Sequence, residues 1–216
     1  AGFENFHEAS YSSAKSQEPN GWHSFMSSTG SMASMVSAAI HTYASSEVRE
    51  NAAEDNKQCV KIVSTPVKVD SIVAASANGT ITTGRLKAGS MTASSKDNCS
   101  FLDFSSADVD ANGDPFYAVL NNKPDAMKVW VKFKAGDGNK NPKATISALL
   151  TNGNMVQDPE DDKYPANIIA RANNSSIESK DEWQEITIPF TYDNAEEMPK
   201  AALVTMSTCA VPSGGS

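Results

Sequence analysis

The sequence predicts an all-β chain: an antiparallel β-sandwich or jelly roll with an irregular N-terminal elaboration over residues 1–45. Three observations carry this. Short apolar runs recur between Gly, Pro and Asn turns, with no long helical pattern between them. The stretch Ala126–Lys134, AMKVWVKFK, sets Met127, Val129, Val131 and Phe133 against Lys128, Trp130, Lys132 and Lys134. Period two over this length marks a strand with one buried face and one wet face. Glu182–Thr191 repeats the pattern, with Ile186, Ile188 and Phe190 opposite Glu185 and Thr187. No internal repeat, Pro-rich linker or composition break interrupts the chain, so one domain over residues 1–216 is the simplest organisation.

Taken in order, residues 1–45 open with Phe3 and Phe6 flanking Glu4, a short candidate edge strand. Glu18-Pro19-Asn20-Gly21 is a turn signal that leads straight into Trp22. Met32, Met35, Val36, Ala39, Ile40 and Tyr43 recur at helical spacing, but the Ser and Thr between them weaken a helix, and a loop over a sheet fits equally. Strands are then predicted at Cys59–Val63, Val67–Ile72, Thr80–Leu86, Asn98–Ser105 and Phe116–Leu120. Gly136–Pro142, GDGNKNP, reads as a hairpin loop that pairs the Ala126–Lys134 strand with Ala144–Thr151. Asn167–Ala172, Glu182–Thr191 and Ala201–Ser207 complete the set.

Bulk properties narrow the function. Of 216 residues, 39% are hydrophobic and 20% charged, enough for a core. The net charge of -8, from 18 basic and 26 acidic side chains, argues against a nucleic-acid backbone or an anionic membrane surface as partner. No run reaches the length of a membrane span. Cys59, Cys99 and Cys209 lack metal spacing; one disulfide with a free thiol, or three reduced buried thiols, are the two readings, and the second is plainer. Abundant Asn, Ser and Thr suit an exported β-domain, placed outside the cell, at its surface or in the periplasm.

Several segments resemble a known family when taken together. GFENF, NGWHSF, TTGRL, NNKPDAMKVWVKF, IIARA, WQEITIPFTY and VPSGGS occur in this order between Gly2 and Ser216. The ordered set resembles the putative carbohydrate metabolism domain, a family of secreted or lipid-anchored proteins of gut bacteria. The resemblance implies a jelly roll similar to carbohydrate-binding modules, exported and surface-associated, working beside other glycan-use proteins. It also implies a closing strand with paired aspartates after the Gly-Gly-Ser segment, and a structural calcium held by such acids with one near Glu4. That strand is missing from this sequence, which puts the calcium site in doubt and implies an uncovered sheet edge.

The residues themselves offer candidates, each with a plainer alternative. Trp130 stands in a row of lysines on the face that meets solvent; sugars offer flat C–H faces on which such a ring stacks. The alternative is that the N-terminal segment covers it. Trp22 and, with weaker claims, Tyr117 and Tyr164 are loop aromatics that either clamp a ligand or pin a loop. Trp183 reads as a core anchor. Arg171 shares a side with Ile169 and can bind a carboxylate or vicinal hydroxyls, or form a structural ion pair. Asp108, Asp110 and Asn112, followed by Gly113, fit the first half of a calcium loop, but position twelve is Val119. A turn rich in Asp and Asn is the alternative. His7, His23 and His41 show no metal spacing, and no nucleophile elbow or catalytic dyad stands out. The first expectation is therefore a non-catalytic module for a polysaccharide or oligosaccharide, without cofactor beyond a structural calcium. A glycoside hydrolase or lyase, and a structural or adhesive surface module, are the alternatives.

Overall fold

The computed structural model describes residues 3–39, 41–69, 72–102, 104 and 108–214. Ile40 of the helical stripe, Asp70 and Ser71 of the 67–72 run, and Ser105 lie outside them, as do residues 1, 2, 215 and 216. The strands run β1 (Phe6–Tyr11), β2 (Ala14–Pro19), β3 (Thr42–Ser45), β4 (Cys59–Ile62), β5 (Thr65–Val69), β6 (Ile72–Ala77), β7 (Thr80–Thr82), β8 (Arg85–Ala88) and β9 (Asn98–Leu102). They continue as β10 (Ala118–Val119), β11 (Ala126–Val131), β12 (Lys143–Thr151), β13 (Val156–Asp158), β14 (Ile168–Glu178), β15 (Gln184–Pro189), β16 (Thr191–Tyr192) and β17 (Ala201–Ser207). Every paired strand is antiparallel, as expected for the class. Among the described residues, no helix is long and apolar enough to cross a membrane.

The centre is a sheet in the order β10-β17-β12-β14-β16, with β7 also on β17. It is covered on both faces. On one, Ala144, Ile146, Ala148, Ala172 and Ile177 meet Phe133 and Ile188, with Met127, Val129, Val131 and Ile186 packed alongside. These last come from the two-stranded sheet β11-β15. On the other face, Leu149, Ile168, Ala201 and Leu203 meet Leu102 and Val156 of the β13-β9-β8 sheet. Burial of both faces suits the apolar start of β17 and the Leu149–Leu150 end of β12, whereas the first half of β12 alternates Ala144, Ile146 and Ala148 with Thr145 and Ser147.

One expected pairing is overturned. β11 and β12 are not neighbours: β11 pairs with β15, while β12 pairs with β14 and β17. Their apolar faces have to meet across the core, which side-by-side strands cannot achieve. The connecting residues 132–142 are long enough to step between layers about 10 Å apart.

The N-terminal region is more ordered than its sequence suggests. β1 and β2 form a hairpin across a tight turn in which Ser12 takes the left-handed conformation, φ 54°. The helical stripe yields only the five-residue α1 (Ala33–Ser37), whose Met32 cap makes no side-chain hydrogen bond, and Tyr43 goes to β3 instead. Cys59–Ile62 holds as a strand, but 67–72 divides between the hairpin strands β5 and β6. Thr80–Leu86 divides too: β7 joins the central sheet and β8 the outer one. Gly84 sits at the crossing, where a Cβ would stand 2.3 Å from Phe101 O and 2.6 Å from Leu203 Cδ1. Asn167–Ala172 proves to be the start of an eleven-residue strand.

Candidate functional site

The alternation of β11 survives intact, with Lys128, Trp130 and Lys132 outward and Met127, Val129 and Val131 inward. Trp130 is 38% exposed and opposes Glu185 across the ladder. It borders a half-open groove of about 770 Å³. One wall is β11 from Val129 to Phe133 and the loop that follows, through Asp137 and Asn139. The facing wall is the β3-β4 hairpin, contributed by Ser45, Glu47 and Cys59–Val63. Ala144, Ile146, Ile177 and Met206 give the groove an apolar depth, while Lys132, Lys134, Asp137, Asn139 and Asp181 give it a polar rim.

Two features of this groove were not visible in the sequence. Trp183, expected in the core, is half-buried just before β15 and lines the groove with Trp130. Arg49 lays its guanidinium over the Trp130 ring, 4.7 Å from the centroid, while Nη1 donates to Asn51 O at 2.9 Å. The expected cover for Trp130 is thus one cation–π contact from the segment after β3 rather than a packed loop. On the rim, Lys132 Nζ donates to Glu47 Oε1. That bond and charge hold the Glu47 carboxyl below its usual range and push the Lys132 ammonium up.

The other candidate residues lie elsewhere. Trp22 is half-buried with its ring edge-on to Phe3, centroids 5.3 Å apart. Phe3 itself lines the groove, so Trp22 backs the groove from behind. Tyr117 stacks on Phe104 at 4.6 Å beside the second core cluster. Arg171 is held in the ion pairing its sequence position suggested: Nε and Nη2 bind Glu160 Oε1 and Oε2 at 2.6 and 2.7 Å, and Nη1 binds Asp193. Asp108 pairs with Arg85. Asp110 Oδ1 accepts from the backbone N–H of Asn112 and Asp114, both at 2.8 Å, and Asn112 Nδ2 donates to Asp114 Oδ2 at 3.0 Å. The loop is therefore a self-capped turn, and Asp110 is left with one oxygen directed inward. Glu4 Oε2 accepts from Lys57 N at 2.9 Å and, among the described residues, joins no group of three or more metal-capable donors. All three cysteines are free; burial pushes the Cys99 thiol up to about 11 and raises that of Cys59.

No protein-family model matches the chain, and no curated protein matches it. Two solved structures share its fold. A putative glycoside hydrolase from Bacteroides vulgatus is 16% identical with a TM-score of 0.61, covering 99% of this chain and 90% of that one. A putative glycoside hydrolase from Bacteroides thetaiotaomicron is 15% identical with a TM-score of 0.61, covering 96% of this chain and 63% of that one. At such identities the likeness speaks for the fold alone.

Proposed function

We propose that this chain is a non-catalytic carbohydrate-binding module of an exported protein of polysaccharide use, similar to the putative carbohydrate metabolism domain, that takes a saccharide into the groove beside Trp130. The observation that carries the reading is the pairing of Trp130 and Trp183, both partly exposed, in one groove with a polar rim. Flat rings receive the C–H faces of a sugar, and rim amides, lysines and carboxylates bond its hydroxyls. Arg49 is held on Trp130 by a contact of the kind worth about 0.5–1 kcal/mol at exposed sites, so a saccharide can displace it at small cost. Descriptions of both structural neighbours as putative glycoside hydrolases support a carbohydrate ligand.

Hydrolysis is the rival drawn from those same descriptions. It requires a carboxylic acid kept protonated opposite a second carboxylate. Glu47, on the rim, is instead held charged by Lys132, which is unsuited to a general acid. An adhesive role is favoured by a different observation. Among the described residues β11 pairs only with β15, and β4 only with β3, so their outer edges flank the apolar part of the groove and offer backbone to an added strand.

Affinity electrophoresis and a glycan array on the purified chain, with a reducing-sugar assay beside them, separate the three. Binding without sugar release, weakened by Trp130→Ala in a protein that remains folded, is the expected result. Release of reducing ends supports the hydrolase. Absence of any glycan binding, with uptake of an extended apolar peptide, supports the adhesive module.

A further inference from the structure

Away from the groove, the N-terminal hairpin and the 108–115 loop enclose a buried knot of acids and imidazoles. His7 stands on β1, Glu18 on β2, His23 at a bridge to Thr82, and Asp110 on the loop. Their side chains are 9%, 1%, 0% and 4% exposed. Asp110 Oδ2 lies 3.2 Å from His7 Nε2 and 3.5 Å from His23 Nε2, and His7 Nε2 lies 3.8 Å from Glu18 Oε2. Among the described residues, none of these four atoms makes a hydrogen bond. Buried polar groups without partners are costly, and four facing one another need a common explanation.

The remaining atoms of the same side chains are occupied, and each bond aims its free partner inward. Glu18 Oε1 accepts from the N–H and hydroxyl of Ser24. Asp110 Oδ1 caps its own loop. His7 Nδ1 donates to Asn20 Oδ1 at 3.3 Å, which leaves a lone pair on Nε2 pointing toward carboxylate oxygens. A lone pair facing an anion repels unless a proton or a metal ion lies between them. His23 Nε2 faces Asp110 Oδ2 at 3.5 Å, and the ring has a loose backbone contact with Gly84.

We propose that His7 Nε2, Asp110 Oδ2 and the Asp114 carboxylate bind one divalent transition-metal ion of the zinc class, with His23 and Glu18 beside them. Each of the three offers one donor atom within 4.8 Å of the other two, and His7 Nε2 stands 3.2 Å from Asp110 Oδ2. In a tetrahedral zinc site with bonds near 2.0–2.1 Å, donor atoms stand about 3.3 Å apart. An imidazole with carboxylates suits zinc, whereas calcium takes six to eight oxygens at longer range. Asp114 Oδ2 also accepts from Gly21 N–H and Asn112 Nδ2, which fixes its carboxylate at the cluster. His23 Nε2, 3.5 Å from Asp110 Oδ2, and Glu18 Oε2, 3.8 Å from His7 Nε2, each face one member of the set. The ion ties the β1-β2 hairpin and the 20–24 segment to the 108–115 loop.

The test strips the chain with a chelator, returns it to plain buffer and titrates it with Zn²⁺ by calorimetry. One ion per chain and a rise in Tm of several degrees are expected, while Ca²⁺ at equal concentration has no effect. Asp110→Asn weakens uptake by about 100-fold or more, and Trp130→Ala leaves it unchanged. His7→Ala stands in if Asp110→Asn does not fold. Co²⁺ in place of Zn²⁺ gives the visible bands of a four-coordinate ion in the parent chain. A folded parent that takes up no zinc, uptake equal in both cluster variants, or an octahedral cobalt spectrum overturns the proposal. The cluster is then a closed network sharing protons.

Discussion

The groove and the buried cluster use similar side chains to opposite ends. At the groove, a charged pair, Glu47 and Lys132, stands in water beside a partly exposed tryptophan with the half-buried Arg49 guanidinium over its ring. In the cluster, acids and imidazoles are sealed from water and face one another without hydrogen bonds. Screening makes the first arrangement cheap to build and cheap to rearrange, as a weak ligand site requires. Desolvation makes the second expensive unless something charged completes it. Exposure, more than residue type, separates a surface that exchanges partners from one that locks the chain.

Four measurements break or sharpen this contrast. The largest effect is expected from Asp110→Ala, which removes the carboxylate shared by both histidines together with the cap of its loop. A loss of about 3–5 kcal/mol in urea denaturation is expected, as for other broken buried charge clusters. A loss below about 1 kcal/mol would put the cluster in the same class as the groove. Next, Trp130→Ala is expected to weaken glycan retention about tenfold while costing less than about 1 kcal/mol of stability. Unfolding would make Trp130 a core residue. Third, Arg49→Ala is expected to strengthen glycan binding up to about fivefold, the equivalent of one exposed cation–π contact. Weaker binding would instead show Arg49 bonding the ligand.

The smallest effect is in the pH dependence. Asp158 accepts from the Ser147 hydroxyl, and burial raises its carboxyl above the usual range. A raised acid stabilises the fold fully below its unfolded value, and that contribution is lost as pH rises through the folded value. Asp158→Asn should therefore gain a few degrees in Tm over the parent between pH 4 and 7. Glu47 has the opposite sign: its carboxyl is lowered, so any contribution is present above the unfolded value and fades as pH falls. Being exposed and screened, Glu47→Gln should leave Tm at pH 7 nearly unchanged. Equal pH responses in the two variants would contradict the assignment of exposed and buried acids.

What the sequence disclosed follows from the range of each interaction. The period of β11, the outward place of Trp130 and the ion pairing of Arg171 are local patterns, legible from a few neighbours. The partner of β11 was not, because pairing with β15 depends on which layer residues 132–142 reach. Trp183 read as core because its aromatic type was visible and the groove beside it was not. The cluster left almost no trace: its side chains come from positions 7, 18, 23, 110 and 114, with no common spacing. The one available hint was that all three histidines fall within the first 45 residues of a chain otherwise lacking them.

Gly84 does not line the groove, and it meets the buried cluster through a backbone contact with His23. The carbonyl of Phe101 fills the space any side chain there would need, so the strands on either side approach as backbone against backbone. A saturation screen across this chain should therefore score position 84 among the least tolerant. The defects would mimic loss of ligand recognition and loss of N-terminal anchoring at once. Read without coordinates, that profile would be mistaken for a hub of function, when it records only that two sheets share one doorway too narrow for a methyl group.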